Sequence, residues 1–240
     1  MLFLRRIPLT SRKSDGFGAQ IHIVTTLPEE AAVGLLSEKH GFAFIHVMKS
    51  GGTSVKAALS DRATPFSELT GFKQYVIQEY AEWFYKIPNI NHAPAIALQS
   101  FLGAEKWASL QTFAIVRNPW DWIASLYVYI RRNKNHVQHR YVKELTFEEF
   151  VAFECKTRRL TQSDFLCNDN GEMLINKLFK LEEMDAELPG FLNTLLGEEV
   201  TMARKNVSER AHYRDIHTPR TRNLVENCYG ADIERFEYAY

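Results

Sequence analysis

Two short stretches of the 240-residue chain hold the residue types that grip an anion. The first, Met48-Lys49-Ser50-Gly51-Gly52-Thr53-Ser54, gathers one ammonium, three hydroxyls and two glycines. Lysine supplies a compact point charge, hydroxyls donate hydrogen bonds, and glycines let the backbone approach a ligand with no Cβ in the way. The chemistry is that of holding a phosphate or sulfate, with an ordinary tight turn as the alternative. The second stretch is Arg117-Asn118-Pro119-Trp120-Asp121, followed by Ser125. Ser125 lies seven residues past Asn118, two helical turns along one face, so Arg117 and Ser125 can converge on one ligand group. Between the two stretches His92 sits in Pro88-Asn89-Ile90-Asn91-His92-Ala93-Pro94. Its ordinary pKa near neutrality suits a general base, and a histidine that packs or caps its own loop is the competing reading.

Each stretch needs an element on either side. Phe42-Ala43-Phe44-Ile45-His46-Val47 reads as a buried strand and Val55 to Leu59 as a helix, so Lys49 to Ser54 form a strand–turn–helix junction. The first turn of such a helix presents unpaired N–H groups and the positive end of its dipole. Thr112 to Arg117 reads as a second buried strand. Asn118 then caps a helix, Pro119 fits its first position, and Asp121 is placed to complete a capping box. Ligands of open α/β sheets bind at these carboxyl ends of strands. Further helices are expected over residues 29–39, 72–85, 95–101, 104–110, 146–155, 182–196 with a break at Pro189-Gly190, 218–228 and 232–238. A third strand is expected over residues 174–179. The expected fold class is α/β: a P-loop-like three-layer fold with a central, mainly parallel sheet flanked by helices. Residues 1–41 read as an N-terminal arm, partly ordered, with an edge strand at Ile21 to Val24 and a flanking helix, and residues 42–240 as one domain.

Composition narrows the partners. Lys+Arg and Asp+Glu both number 29, so no global field attracts nucleic acid or an acidic membrane, and any anion site depends on local placement of a few cations. Cys155, Cys167 and Cys228 lack metal-site or CxxC spacing and read as reduced packing cysteines. No stretch approaches the ~20 apolar residues that span a bilayer. The expectation is a cytoplasmic protein without a transmembrane segment or bound metal.

Lys49-Ser50-Gly51-Gly52-Thr53-Ser54 resembles the 5′-phosphosulfate loop of sulfotransferases that use 3′-phosphoadenosine 5′-phosphosulfate (PAPS). Val116-Arg117-Asn118-Pro119-Trp120-Asp121 with Ser125 is similar to the same family's second motif, in its carbohydrate sulfotransferase branch. Met48 stands where that branch carries proline, and Trp122 where arginine is common. Asn91-His92-Ala93-Pro94, Gln162-Ser163-Asp164-Phe165-Leu166, Lys180-Leu181-Glu182, Asn206-Val207-Ser208 and Asp232 to Tyr238 resemble further landmarks, so the likeness runs from Phe42 to the C-terminus. The resemblance implies transfer of a sulfuryl group from PAPS to a hydroxyl or amine, with a carbohydrate or glycoconjugate acceptor and adenosine 3′,5′-bisphosphate as product. It implies that Lys49, Ser50, Gly51, Gly52, Thr53 and Ser54 hold the 5′ end, Arg117 and Ser125 the 3′-phosphate, and that Lys49 and His92 are catalytic. Arg204 and Lys205 are either part of a cofactor lid or a solvated basic loop. A P-loop nucleotide kinase is disfavoured because Lys49 precedes the glycines instead of following them. A non-catalytic module that binds adenosine bisphosphate remains the other alternative.

Overall fold

Phe42-Ala43-Phe44-Ile45 is apolar at every position because both faces of its sheet are covered. The computed structural model describes residues 34–87, 89–157, 160–202 and 211–240. The expected N-terminal arm, the edge strand at residues 21–24, and Arg204 with Lys205 in the loop 204–208 lie outside them. Strands β1 (Leu35–Ser37), β2 (Phe42–Ile45), β3 (Thr64–Pro65), β4 (Gln111–Val116) and β5 (Lys177–Lys180) form one sheet in the order β3-β1-β2-β4-β5. The central strands are parallel, with Phe44 opposite Phe113 and Ala114 opposite Leu178, while β1 is antiparallel to β2 and to β3.

Period-two alternation assigns each strand residue to a layer. Phe42, Phe44, Phe113, Ile115 and Phe179 face helices α1 (Gly52–Leu59), through Val55 and Leu59, and, numbered in chain order, α10 (Met184–Leu196), through Leu188 and Leu192. Ala43, Ile45, Ala114 and Val116 face the opposite layer. There stand α2 (Phe72–Glu79), α3 (Ala81–Lys86), α4 (Ala95–Leu102), α5 (Ala104–Ala108) and α9 (Ser163–Leu166). A third cluster joins α6 (Pro119–Arg132), α7 (His139–Val142), α8 (Phe147–Thr157), α11 (Tyr213–Ile216) and α12 (Pro219–Arg235) around Trp122, Phe150 and Tyr229. The three-layer α/β fold with its P-loop-like β2–turn–α1 unit is the one expected.

Four local expectations are corrected. Leu35–Ser37 is a strand, not the end of a helix over 29–39: Leu35 and Leu36 are buried on opposite faces of the sheet, a period of two that helical spacing had concealed. The helix over 72–85 breaks at Tyr80 (φ −126°, ψ 41°), whose hydroxyl reaches Ser100 Oγ at 3.0 Å and the Ile96 carbonyl at 3.3 Å. Helix α10 runs through Pro189 without interruption, with Leu188 and Leu192 buried on either side of it. Cys155 and Cys228 are joined as a disulfide between α8 and α12, so the reading of these two as reduced thiols does not hold; Cys167 is a free, buried thiol. Among the described residues no helix is long and apolar enough to cross a membrane, and no His/Cys/Asp/Glu group is arranged for a metal.

Candidate active site

The first junction begins where β2 ends. Lys49 adopts a left-handed backbone (φ 64°) and Gly51 another (φ 83°) at the N-cap of α1. Gly51 brings no side chain to cap the first turn, and its own carbonyl accepts the Ser54 N–H at 3.0 Å. Neither glycine can be replaced without disturbance. A Cβ on Gly51 would meet Leu181 Cδ1 at 2.7 Å, and one on Gly52 would run into the His46 ring. Ser50 is buried and donates its hydroxyl to the Val47 carbonyl at 2.5 Å, which ties the turn to the strand that launches it. Ser54 is buried in the first turn of α1, and Thr53 is half-buried. A left-handed turn, a helix start and an ammonium are the parts from which protein anion sites are built.

The second junction begins where β4 ends. Asn118 caps α6 by accepting from the Trp120 N–H at 3.1 Å, and Pro119 takes the first helical position, as expected. Asp121 does not complete a capping box. Its Oδ2 accepts from Arg117 Nε at 2.7 Å and pairs with Nη2 at 2.5 Å, while Glu182 Oε1 accepts the Asn118 N–H at 2.9 Å. A guanidinium is the stronger partner for a carboxylate, since the bond is charge-assisted on both sides. Arg117 Nη1 donates to the Lys49 carbonyl at 3.0 Å, so the plane of the guanidinium is fixed between Asp121 and the first loop. Ser125 is buried on α6, two turns beyond Asn118.

The two departures from the family pattern meet each other. The Trp122 indole N–H donates to the Met48 carbonyl at 2.6 Å, joining the start of the first loop to α6. Lys49 Nζ lies over the Tyr129 ring at 4.1 Å from its centroid, a cation–π contact near the end of α6.

His92 closes a 3-10 turn, Ile90–His92, opposite the end of β2. Trp83 Nε1 donates to its carbonyl at 3.2 Å, and its ring lies 4.5 Å from that of His46. Nδ1 stands 3.3 Å from the His46 carbonyl; in the tautomer that donates there, Nε2 carries the lone pair. The His92 pKa is lowered to about 4, chiefly by burial and in smaller part by the Lys49 charge, with the bond to the His46 carbonyl opposing both. His92 is therefore a neutral imidazole at pH 7, within the field of Lys49.

Lys49, Arg117 and His92 thus surround one region at the carboxyl ends of β2 and β4. Local sequence signals do not reveal that Asp121 pairs with Arg117, that Trp122 and Tyr129 meet the first loop, or that Gln162 and Glu182 hold the backbone of the second. For Gln162 and Glu182 the only signal was their presence among the later landmarks.

A model described as "Sulfotransferase family" matches residues 35–239. Among solved structures the chain is similar to the mouse sulfotransferase SULT7A1 complexed with PAP, at 16% identity and a TM-score of 0.49, over 85% of this chain and 91% of that one. No curated protein matches the chain.

Proposed function

The chain belongs to the sulfotransferase family, with PAPS as its donor, and on that premise we propose how its residues share the work. Lys49 with the amides of Gly51, Gly52 and Thr53 and the Ser54 hydroxyl holds the 5′ end of the donor, and Arg117 with Ser125 holds the 3′-phosphate. The bound donor supplies an electrophilic sulfur: the acceptor oxygen bonds to it as the S–O bond to the 5′-phosphate breaks, and the electron pair leaves on the phosphate oxygen. Lys49 counters the charge that grows on that oxygen. His92 takes the acceptor's proton at Nε2, with its ring held by His46 and its backbone carbonyl by Trp83. A depressed pKa keeps this base unprotonated at working pH, although it makes it a weak one.

The observation that carries this reading is the bond from Arg117 to the Lys49 carbonyl, which ties the two junctions together. A carbohydrate or glycoconjugate hydroxyl is the proposed acceptor, supported by the likeness of both motifs to the carbohydrate branch. The Cys155–Cys228 cross-link favours an oxidising compartment over the cytoplasm expected from the sequence. The test is transfer of ³⁵S-labelled sulfate from PAPS to a panel of oligosaccharides, lipid-linked sugars and small alcohols. Label on a sugar hydroxyl supports the acceptor class; label only on non-sugar acceptors removes it.

A further inference from the structure

We infer that Gln162, anchored by Asp232, is a positioning residue that fixes Arg117 and so sets how strongly the site takes the donor's 3′-phosphate; this rests on the function proposed above. Arg117 stands one residue past the end of β4, where the ladder to β5 closes with Val116 opposite Lys180. Its peptide groups need partners there, and one side-chain amide provides both. Gln162 Oε1 accepts the Arg117 N–H at 2.8 Å, and Gln162 Nε2 donates to the Arg117 carbonyl at 2.7 Å. A primary amide is the neutral side chain that offers a donor and an acceptor in the geometry of a neighbouring strand.

Gln162 is itself held. Asp232 on α12 is fully buried, and its carboxylate accepts from the Gln162 N–H at 2.5 Å, the Ser163 N–H at 3.0 Å and the Ser163 hydroxyl at 2.5 Å. A buried carboxylate is costly unless hydrogen bonds satisfy it, and three of the donors here belong to the turn that carries Gln162. Burial raises the Asp232 pKa and the three donors oppose that rise. Arg117 is thus clamped at its backbone by Gln162 and at its head by Asp121 and the Lys49 carbonyl. A guanidinium held at both ends loses little further entropy on meeting a phosphate, which is the condition for a strong bidentate grip. The landmarks Gln162-Ser163 and Asp232, far apart in the chain, acquire a joint purpose at the second junction.

The test separates positioning from general stability by using two nucleotides that differ only in the 3′-phosphate. Adenosine 3′,5′-bisphosphate and adenosine 5′-phosphate are titrated calorimetrically into wild type, Gln162→Ala and Gln162→Asn, the last too short to reach both peptide groups. Wild type should prefer the bisphosphate on the order of tenfold to a hundredfold. Each variant should lose most of that preference while holding 5′-phosphate affinity near wild type. A variant that keeps the full preference, or that weakens both nucleotides equally, overturns this inference alone. A wild type without the preference overturns the proposed 3′-phosphate grip, and this inference with it. Should Gln162→Ala fail to fold, Gln162→Asn and Asp232→Asn give the same readout.

Discussion

Arg117 Nη1 donates to the backbone carbonyl of Lys49 at 3.0 Å, so the side chain that ends one β-to-α junction is bonded to the main chain of the other. One bond thus ties together two loops separated by 68 residues. Their relation to each other, more than either loop alone, is what the proposed grip on a nucleotide with two phosphates depends on.

Arg117→Lys should behave almost as badly as Arg117→Ala. An ammonium cannot span the Asp121 carboxylate, the Lys49 carbonyl and a ligand at once. Loss of a charge-assisted contact costs roughly 1.5–3 kcal/mol, or about tenfold to a hundredfold in affinity for adenosine 3′,5′-bisphosphate. Calorimetric titration reads this, and a lysine variant with wild-type affinity would remove the geometric role of the guanidinium.

Much of this arrangement was legible in the sequence. Strand β2, the glycine turn, the Asn118 cap with Pro119, and the Thr146–Glu149 capping box at the start of α8 all formed as local chemistry directs. What was not legible is long-range. Asp121 had an acceptable local role in a capping box, and only the fold brings the Arg117 guanidinium within reach as a better one. Tyr80 breaks a helix that its neighbours' spacing supports because Ser100 and Ile96 wait on another element. Met48 and Trp122 looked like two separate departures from a pattern; in the structure they are one contact.

Trp122→Phe tests that contact. The ring volume is largely kept, but the Met48 carbonyl loses its donor. An unsatisfied buried acceptor costs about 1–3 kcal/mol, so denaturant unfolding should show a loss of that order. Nucleotide affinity should fall too, because Met48 begins the anion loop. Unchanged stability and affinity would mean that the bond is incidental.

His92 fixes the pH dependence. Its folded pKa of about 4 lies below the ordinary value of 6.5, so the imidazole gains its proton only in acid. Activity should stay level with respect to this residue above about pH 5 and fall through an acid limb near pH 4. Stability follows the same sign. The unfolded chain binds the proton first as pH drops below 6.5, so the contribution of neutral His92 is lost between there and about pH 4. His92→Ala should lower kcat by roughly 10²–10⁴-fold without changing bisphosphate affinity. A wild-type profile with no limb near pH 4, or lost binding in the variant, would contradict this assignment.

The Cys155–Cys228 cross-link closes a loop of 73 residues. Chain-entropy arguments give it up to about 4 kcal/mol of stability. Unfolding in urea with and without dithiothreitol should differ by 2–4 kcal/mol, and the double variant Cys155→Ser/Cys228→Ser should match the reduced protein. Identical curves in both conditions would show that the two thiols are not paired in solution.

The most direct measurement is a crystal structure of the protein with adenosine 3′,5′-bisphosphate. The 5′-phosphate should rest on the Lys49 to Ser54 turn and the 3′-phosphate against Arg117 and Ser125, with one nucleotide bridging both junctions. A nucleotide bound to only one junction, or two phosphates lodged in separate cavities, would contradict the single shared site on which the proposed transfer depends.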